Sequence, residues 1–73
     1  MDTLTLLRKL FPASVTVPEA LDAPLDLPSF ELIVLAEEME SAFGFRVQAD
    51  DLSPENFGTL AGLVAFVERK RTT

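Results

Sequence analysis

Leu25-Asp26-Leu27-Pro28-Ser29-Phe30-Glu31-Leu32-Ile33-Val34-Leu35-Ala36-Glu37-Glu38-Met39-Glu40-Ser41-Ala42-Phe43-Gly44-Phe45 is the stretch on which the fold turns. Its punctuation marks a helix. Pro28 suits a first helical position, where its missing N–H costs nothing, and it pushes Leu27 toward an extended conformation. Gly44 can supply the left-handed residue that ends a helix. The predicted helix runs from Pro28 or Ser29 to Ala42. At about 100° per residue, Leu32, Leu35, Ala36, Met39 and Phe43 fall on one broad stripe, the core face. Phe30, Val34, Glu37 and Ser41 share the opposite face, with Ile33 at its border. Glu31 and Glu38 lie on one flank and Glu40 on the other. Apolar side chains beside glutamates on an outer face have two readings: scattered surface apolars, or a docking strip with apolar anchors and an acidic rim.

Toward the N-terminus, Leu4, Leu7 and Phe11 recur at helical spacing with Leu6 and Leu10 alongside, so Thr3 to Phe11 reads as a helix closed by Pro12. Pro12 to Leu27 is broken by Pro18, Pro24 and the approach to Pro28, and reads as a long ordered loop with a turn at Pro18 to Leu21. Val15, Val17, Leu21, Leu25 and Leu27 are too many apolar residues for a free linker and should pin it over the core. After Gly44, Phe45 to Val47 is a short extended piece. Ser53 is an expected N-cap, with Pro54 at the first position of a short helix that Gly58 interrupts. Thr59 caps the last helix, in which Leu60, Leu63, Val64 and Val67 recur, and Arg69, Lys70 and Arg71 close it where positive charge is favoured. Thr72 and Thr73 are expected to fray. The expectation is an all-α fold in a single domain, 1–73. It is a small helical bundle of three main helices plus one short helix, with a long loop between the first two. Leu7, Leu32, Leu35, Met39, Phe43, Phe57, Leu63 and Val67 should form its core.

At 73 residues the chain has room for one modest core and no deep catalytic cleft. With 48% hydrophobic and 25% charged residues it should be globular rather than disordered. It has no cysteine, hence no disulfide or thiolate metal site, and no histidine, the usual general base and commonest neutral metal ligand. Asp50-Asp51 and Glu37-Glu38 lack calcium-loop spacing. No catalytic residue and no metal site are expected. The start is not basic, and Arg8 and Lys9 interrupt the run from Leu4 to Leu10. No apolar run reaches the length of a membrane span, so a cytoplasmic location is expected. The formal net charge is −6. Between Leu10 and Phe45 there is no basic residue, while Glu19, Asp22, Asp26, Glu31, Glu37, Glu38 and Glu40 all fall there. A nucleic-acid binder needs the opposite sign. An acidic surface attracts a basic protein partner, or simply solubilises the chain.

Leu25 to Phe30, the acidic helix, and Phe43-Gly44-Phe45-Arg46-Val47 together resemble the acyl carrier and peptidyl carrier protein family. In that family a loop ends in a Leu-Gly-x-Asp-Ser-Leu-like motif. The serine opens the second helix and receives a 4'-phosphopantetheine arm. An acidic amphipathic helix follows and ends in Phe-Gly-Ile or similar. Phe43, Gly44 and Phe45 match that ending, and the family's spacing back from them lands on Ser29. Phe30 takes the place of the leucine after the serine, and Leu25 and Leu27 match the apolar positions before it. Asp51-Leu52-Ser53-Pro54-Glu55-Asn56-Phe57 looks like the stretch before the last helix of many free-standing carriers. Phe57, Thr59 and Leu60 resemble its apolar-x-Thr-apolar opening. The resemblance covers nearly the whole chain. Two positions depart from it: Pro28 stands where the family has aspartate, and Asp26 where it has glycine.

The resemblance implies a monomeric acyl carrier protein, not an enzyme. A phosphopantetheinyl transferase would move the arm from coenzyme A to Ser29, with magnesium as part of that encounter. An acyl or aminoacyl group would then be held on it as a thioester, as in fatty acid or polyketide biosynthesis. Loading and processing enzymes would be met by a partner-facing strip of Phe30, Glu31, Ile33, Val34, Glu37 and Glu38. Ser29 would be the transferase's substrate rather than a nucleophile with its own base. The competing class is a carrier-fold interaction protein that is not phosphopantetheinylated, and Pro28 is its evidence. The cargo and the pathway are not written in these residues.

Overall fold

In a computed structural model, which describes residues 2–72, the Asp2 side chain accepts the Thr5 N–H at 2.7 Å and opens helix α1 (Thr3–Leu10). That bond satisfies one of the N–H groups a helix start leaves open. The helix ends one residue before the expected Phe11, because Pro12 holds its predecessor out of the helical region, at ψ 139°. Helix α2 (Ser29–Phe43) runs one residue beyond the expected Ala42 and stops at Gly44, whose φ of 78° lies in the left-handed region. Pro28 is not the first helical residue but the cap before it, with ψ 159°. Its carbonyl accepts the Leu32 N–H at 2.9 Å, and Ser29 takes the first position. In helix α3 (Pro54–Phe57) the Ser53 hydroxyl accepts the Asn56 N–H at 3.4 Å. In helix α4 (Leu60–Thr72) the Thr59 hydroxyl accepts the Gly62 N–H at 3.0 Å. Both caps are the expected ones. A 3-10 turn at Ala49–Asp51, too short for periodicity to reveal, precedes α3. The expected fraying of Thr72 and Thr73 falls on Thr73 and the Thr72 side chain, which lie outside the described residues.

Helix α4 packs on both α1 and α3, and α1 packs on α2. Leu7, Phe11, Leu35, Met39, Phe57, Leu60, Leu63, Phe66 and Val67 form one buried cluster. Two members of the expected core sit at its rim instead. Leu32 lines a cleft beside the start of α2, and Phe43 stacks on Phe45 at the other end of the helix. Phe66 was not in the expected set, yet it is 2% exposed. Its ring meets Phe45 edge-on at 5.8 Å and Phe57 at 5.6 Å, so its burial depends on partners remote in sequence. Helix α4 approaches α3 closely at Gly62, where a Cβ would run into the Glu55 carbonyl oxygen.

The loop between α1 and α2 is pinned, as its apolar content predicts. Leu25 N–H donates to the Gly58 carbonyl at 2.7 Å, and Ala61 N–H donates to the Leu21 carbonyl at 2.9 Å. Arg8 donates to the carbonyls of Pro18 and Glu19, both at 3.0 Å. The turn closes between Ala20 and Ala23, about two residues later than the prolines imply. The radius of gyration, 11.0 Å, equals what a compact chain of this length should have, about 11 Å, which leaves no room for a dangling loop.

Asp51 ties the 3-10 turn to α4. It accepts the Gln48 N–H at 2.9 Å and meets the Lys70 ammonium at 3.1 Å. The Gln48 bond is the main reason its carboxyl titrates below the ordinary aspartate value; desolvation pushes the other way, and Lys70 adds a smaller pull downward.

Two outcomes follow from this packing. Leu35→Ala should lower unfolding free energy by about 2–5 kcal/mol, a large share of the stability of so small a domain. An unchanged denaturation midpoint would contradict its burial. Because the folded carboxyl of Asp51 titrates below its unfolded value, its contribution is fully present above the ordinary carboxylate range and is lost as pH falls through the lowered value. Asp51→Asn should therefore destabilise the protein at neutral pH and flatten the acid limb of a stability–pH curve. Equal destabilisation at pH values on both sides of that limb would refute the linkage.

Candidate functional site

Ser29 stands exposed at the first position of α2. Pro28 before it has no N–H, and no side chain caps the helix start. The first-turn N–H groups therefore face outward without a cap, at the positive end of a helix 15 residues long. The Ser29 hydroxyl has no hydrogen-bond partner among the described residues. Among the described residues no side chain bonds to it, so the hydroxyl is accessible.

Two hollows flank this helix start. On one side Leu25, Leu27, Leu32, Leu52, Pro54 and Phe57 form an apolar cleft of about 250 Å³. On the other, Ser14, Thr16, Asp26, Pro28 and Glu31 line a polar hollow of similar volume, about 250 Å³. Helical geometry decides which one Ser29 adjoins. Leu32 lies about 60° from Ser29 around the axis, and Glu31 about 160° away. Ser29 thus stands beside the apolar cleft. The Leu25–Gly58 backbone bond makes that cleft, because it draws the loop against α3.

The six residues expected to face a partner all lie on α2 and differ in exposure. Phe30 and Ile33 are 75% and 51% exposed, and Glu37 is exposed on the same quadrant of α2 as Ser29. Val34 is half-buried and Glu38 exposed on the far flank. Glu31 is half-buried, and the Ser14 hydroxyl reaches its Oε1 at 3.5 Å. Glu31 therefore belongs to the loop side of the helix. Glu40, on the other flank, accepts the Val47 N–H at 2.7 Å and is used to hold the chain after α2. The structure thus gathers Ser29, Phe30, Ile33 and Glu37, with the half-buried Val34 one turn from Phe30 at their border, and puts Glu31 and Glu38 on the other flank.

Leu52 and Pro54 were absent from the sequence-based site. The sequence shows them only as the lead into the short helix after Ser53, and that does not say which other helix this stretch will meet. Among the described residues no helix is long and apolar enough to cross a membrane. Comparison of the chain with known proteins finds no matching family model, no matching curated protein and no matching solved structure.

The exposure of Phe30 has a direct test by thermal denaturation. Phe30→Ser should change stability by no more than about 0.5 kcal/mol, the usual range for an exposed site. Phe66→Ala should cost about 3–5 kcal/mol. Comparable losses in the two proteins would place the Phe30 ring in the packed interior.

Proposed function

We propose that this chain is a carrier protein whose Ser29 receives a 4'-phosphopantetheine arm, on which an acyl or aminoacyl group is held for partner enzymes. The observation that carries the reading is the setting of Ser29: an exposed, unengaged hydroxyl at an uncapped helix start beside an apolar cleft. The resemblance of Leu25 to Phe30 and of Phe43-Gly44-Phe45 to the carrier family adds to it. The residues present fit the group. The outward N–H groups at the start of α2 favour a phosphate attached to Ser29 Oγ. Leu27 and Leu32 offer apolar surface next to it. When attached, the arm supplies a terminal thiol, which this cysteine-free chain lacks. In the transfer, Ser29 would give its hydroxyl proton to a base of the transferase as Oγ bonds to the phosphorus of the phosphopantetheine, and the pyrophosphate bond of coenzyme A would break with adenosine 3',5'-bisphosphate leaving. Phe30 and Ile33, with Glu37 between them in azimuth, are the apolar anchors and acidic rim that a basic partner enzyme would meet.

A second reading is favoured by Pro28. As a cap with no carboxylate it removes the group that the family places before the serine, and a plain structural helix start accounts for Pro28 and Ser29 together. On that reading the chain binds a partner through α2 with Ser29 unmodified.

Intact mass separates the two. The protein is incubated with coenzyme A, magnesium and a broad-specificity phosphopantetheinyl transferase, beside a Ser29→Ala control. The carrier reading expects a mass gain in the parent and none in the control. No gain with several transferases, including one from the native host, would favour the interaction-only reading. Pro28→Asp then reports whether the proline is the obstacle: gain of the arm only in that variant would assign the block to position 28.

A further inference from the structure

The chain is acidic overall, yet four of its six Lys and Arg residues, Arg46, Arg69, Lys70 and Arg71, lie just after α2 or in the last turn of α4. Arg46, Lys70 and Arg71 line one cleft of about 410 Å³ with Phe43, Gly44 and Phe45, and among the described residues no acidic side chain lines it. Phe43 and Phe45 are parallel to within 4°, with centroids 5.9 Å apart. The Arg71 guanidinium stands 5.8 Å from the centroid of the Phe43 ring, and its Nη1 donates to Thr3 Oγ1 at 3.4 Å. Lys70 is positioned by Asp51 and by the Phe66 ring, 5.8 Å from its ammonium. The Arg46 side chain is 89% exposed and forms a long ion pair with Glu40, 4.0 Å from Nε to Oε2, that leaves its guanidinium largely in solvent. A Cβ on Gly44 would meet nothing within 4 Å, so the backbone there leaves the cleft open.

The helix dipole accounts for basic residues at the end of α4. It does not account for Arg46, which belongs to the extended piece after α2 and lines the same cleft as Lys70 and Arg71. We propose that this cleft is a binding site for a small phosphate-bearing anion. Two guanidinium forks and an ammonium match several phosphate oxygens at once. The volume falls within the range of small-molecule sites, about 300–1,000 Å³. The net charge of −6 disfavours a long polyanion, which would extend over the acidic surface as well, whereas a small anion meets only the basic end. The site is separated from Ser29 by the length of α2, about 20 Å, and does not depend on the carrier reading.

The test is an amide-shift titration of the full chain with sodium pyrophosphate, beside sodium chloride at matched ionic strength. Saturable shifts are expected at Gly44, Phe45, Arg46, Lys70 and Arg71 with pyrophosphate and not with chloride. Arg46→Gln and Arg71→Gln should each weaken binding at least about tenfold, the loss expected for a charge-assisted hydrogen bond. Lys9→Gln and Ser29→Ala should bind as the parent does, which separates failure here from failure at Ser29. If Arg71→Gln perturbs the fold through Thr3 and Phe43, Arg46→Gln alone decides, because its side chain projects into solvent. Linear shifts, shifts equal to those caused by chloride, or unchanged affinity in Arg46→Gln would overturn the site.

Discussion

Phe66 is the point at which the remote parts of this chain meet. Its ring touches Phe45 from the piece after α2 and Phe57 from α3, while its own backbone belongs to α4. Phe45 in turn stacks on Phe43 at the end of α2. A line of four rings therefore joins the end of α2 to the closely packed α3–α4 pair. Helices α2 and α4 are not among the closely packed pairs, so the side chains between them must fill the gap. A large, flat ring does this with few rotamers to lose. The aliphatic cluster of Leu7, Leu35, Met39, Leu63 and Val67 closes around the same junction.

That arrangement leaves the start of α2 free of structural duty. The helix is held along Leu35, Ala36 and Met39, all buried, and its far end is fixed by the ring line and by Glu40. Ser29, Phe30 and Ile33 contribute little to the core and remain on the surface. Function can occupy such positions without a stability penalty, since surface substitutions away from caps and pairs change little. The same division appears in charge: carboxylates dominate the loop and α2, and cations gather where α2 and α4 end.

Three helices, the Ser53 and Thr59 caps and the loop's attachment were legible before the structure, because each rests on local evidence, whereas the Asp2 cap of α1 was not foreseen. Proline and glycine mark the ends of α2, Ser53 and Thr59 cap as their positions imply, and the exposure of Phe30 follows from its place on the wheel. What was not legible depends on meetings between distant segments. Phe66 and Leu60 are buried by neighbours that a helical period cannot name. Glu31 looked like part of an outer strip until the loop brought Ser14 to it. The apolar cleft beside Ser29 needs Leu25 from the loop and Leu52 and Phe57 from around α3, and no window of sequence contains all three. The start of α2, expected at Pro28 or Ser29, falls at Ser29, since the fixed φ of Pro28, −58°, is compatible with both positions and does not by itself mark the boundary.

The two backbone bonds that fasten the long loop have a kinetic meaning. Leu25 and Leu21 exchange bonds with Gly58 and Ala61, so the loop belongs to the same cooperative unit as the α3–α4 corner rather than to its sequence neighbours. Its amide protons should be released to solvent in step with that corner. Local opening of the loop would uncouple α3 at the same moment, and the cleft beside Ser29 would lose two of its walls together. The dimensions of that cleft are thus governed by a concerted fluctuation, not by the independent wandering of a surface loop.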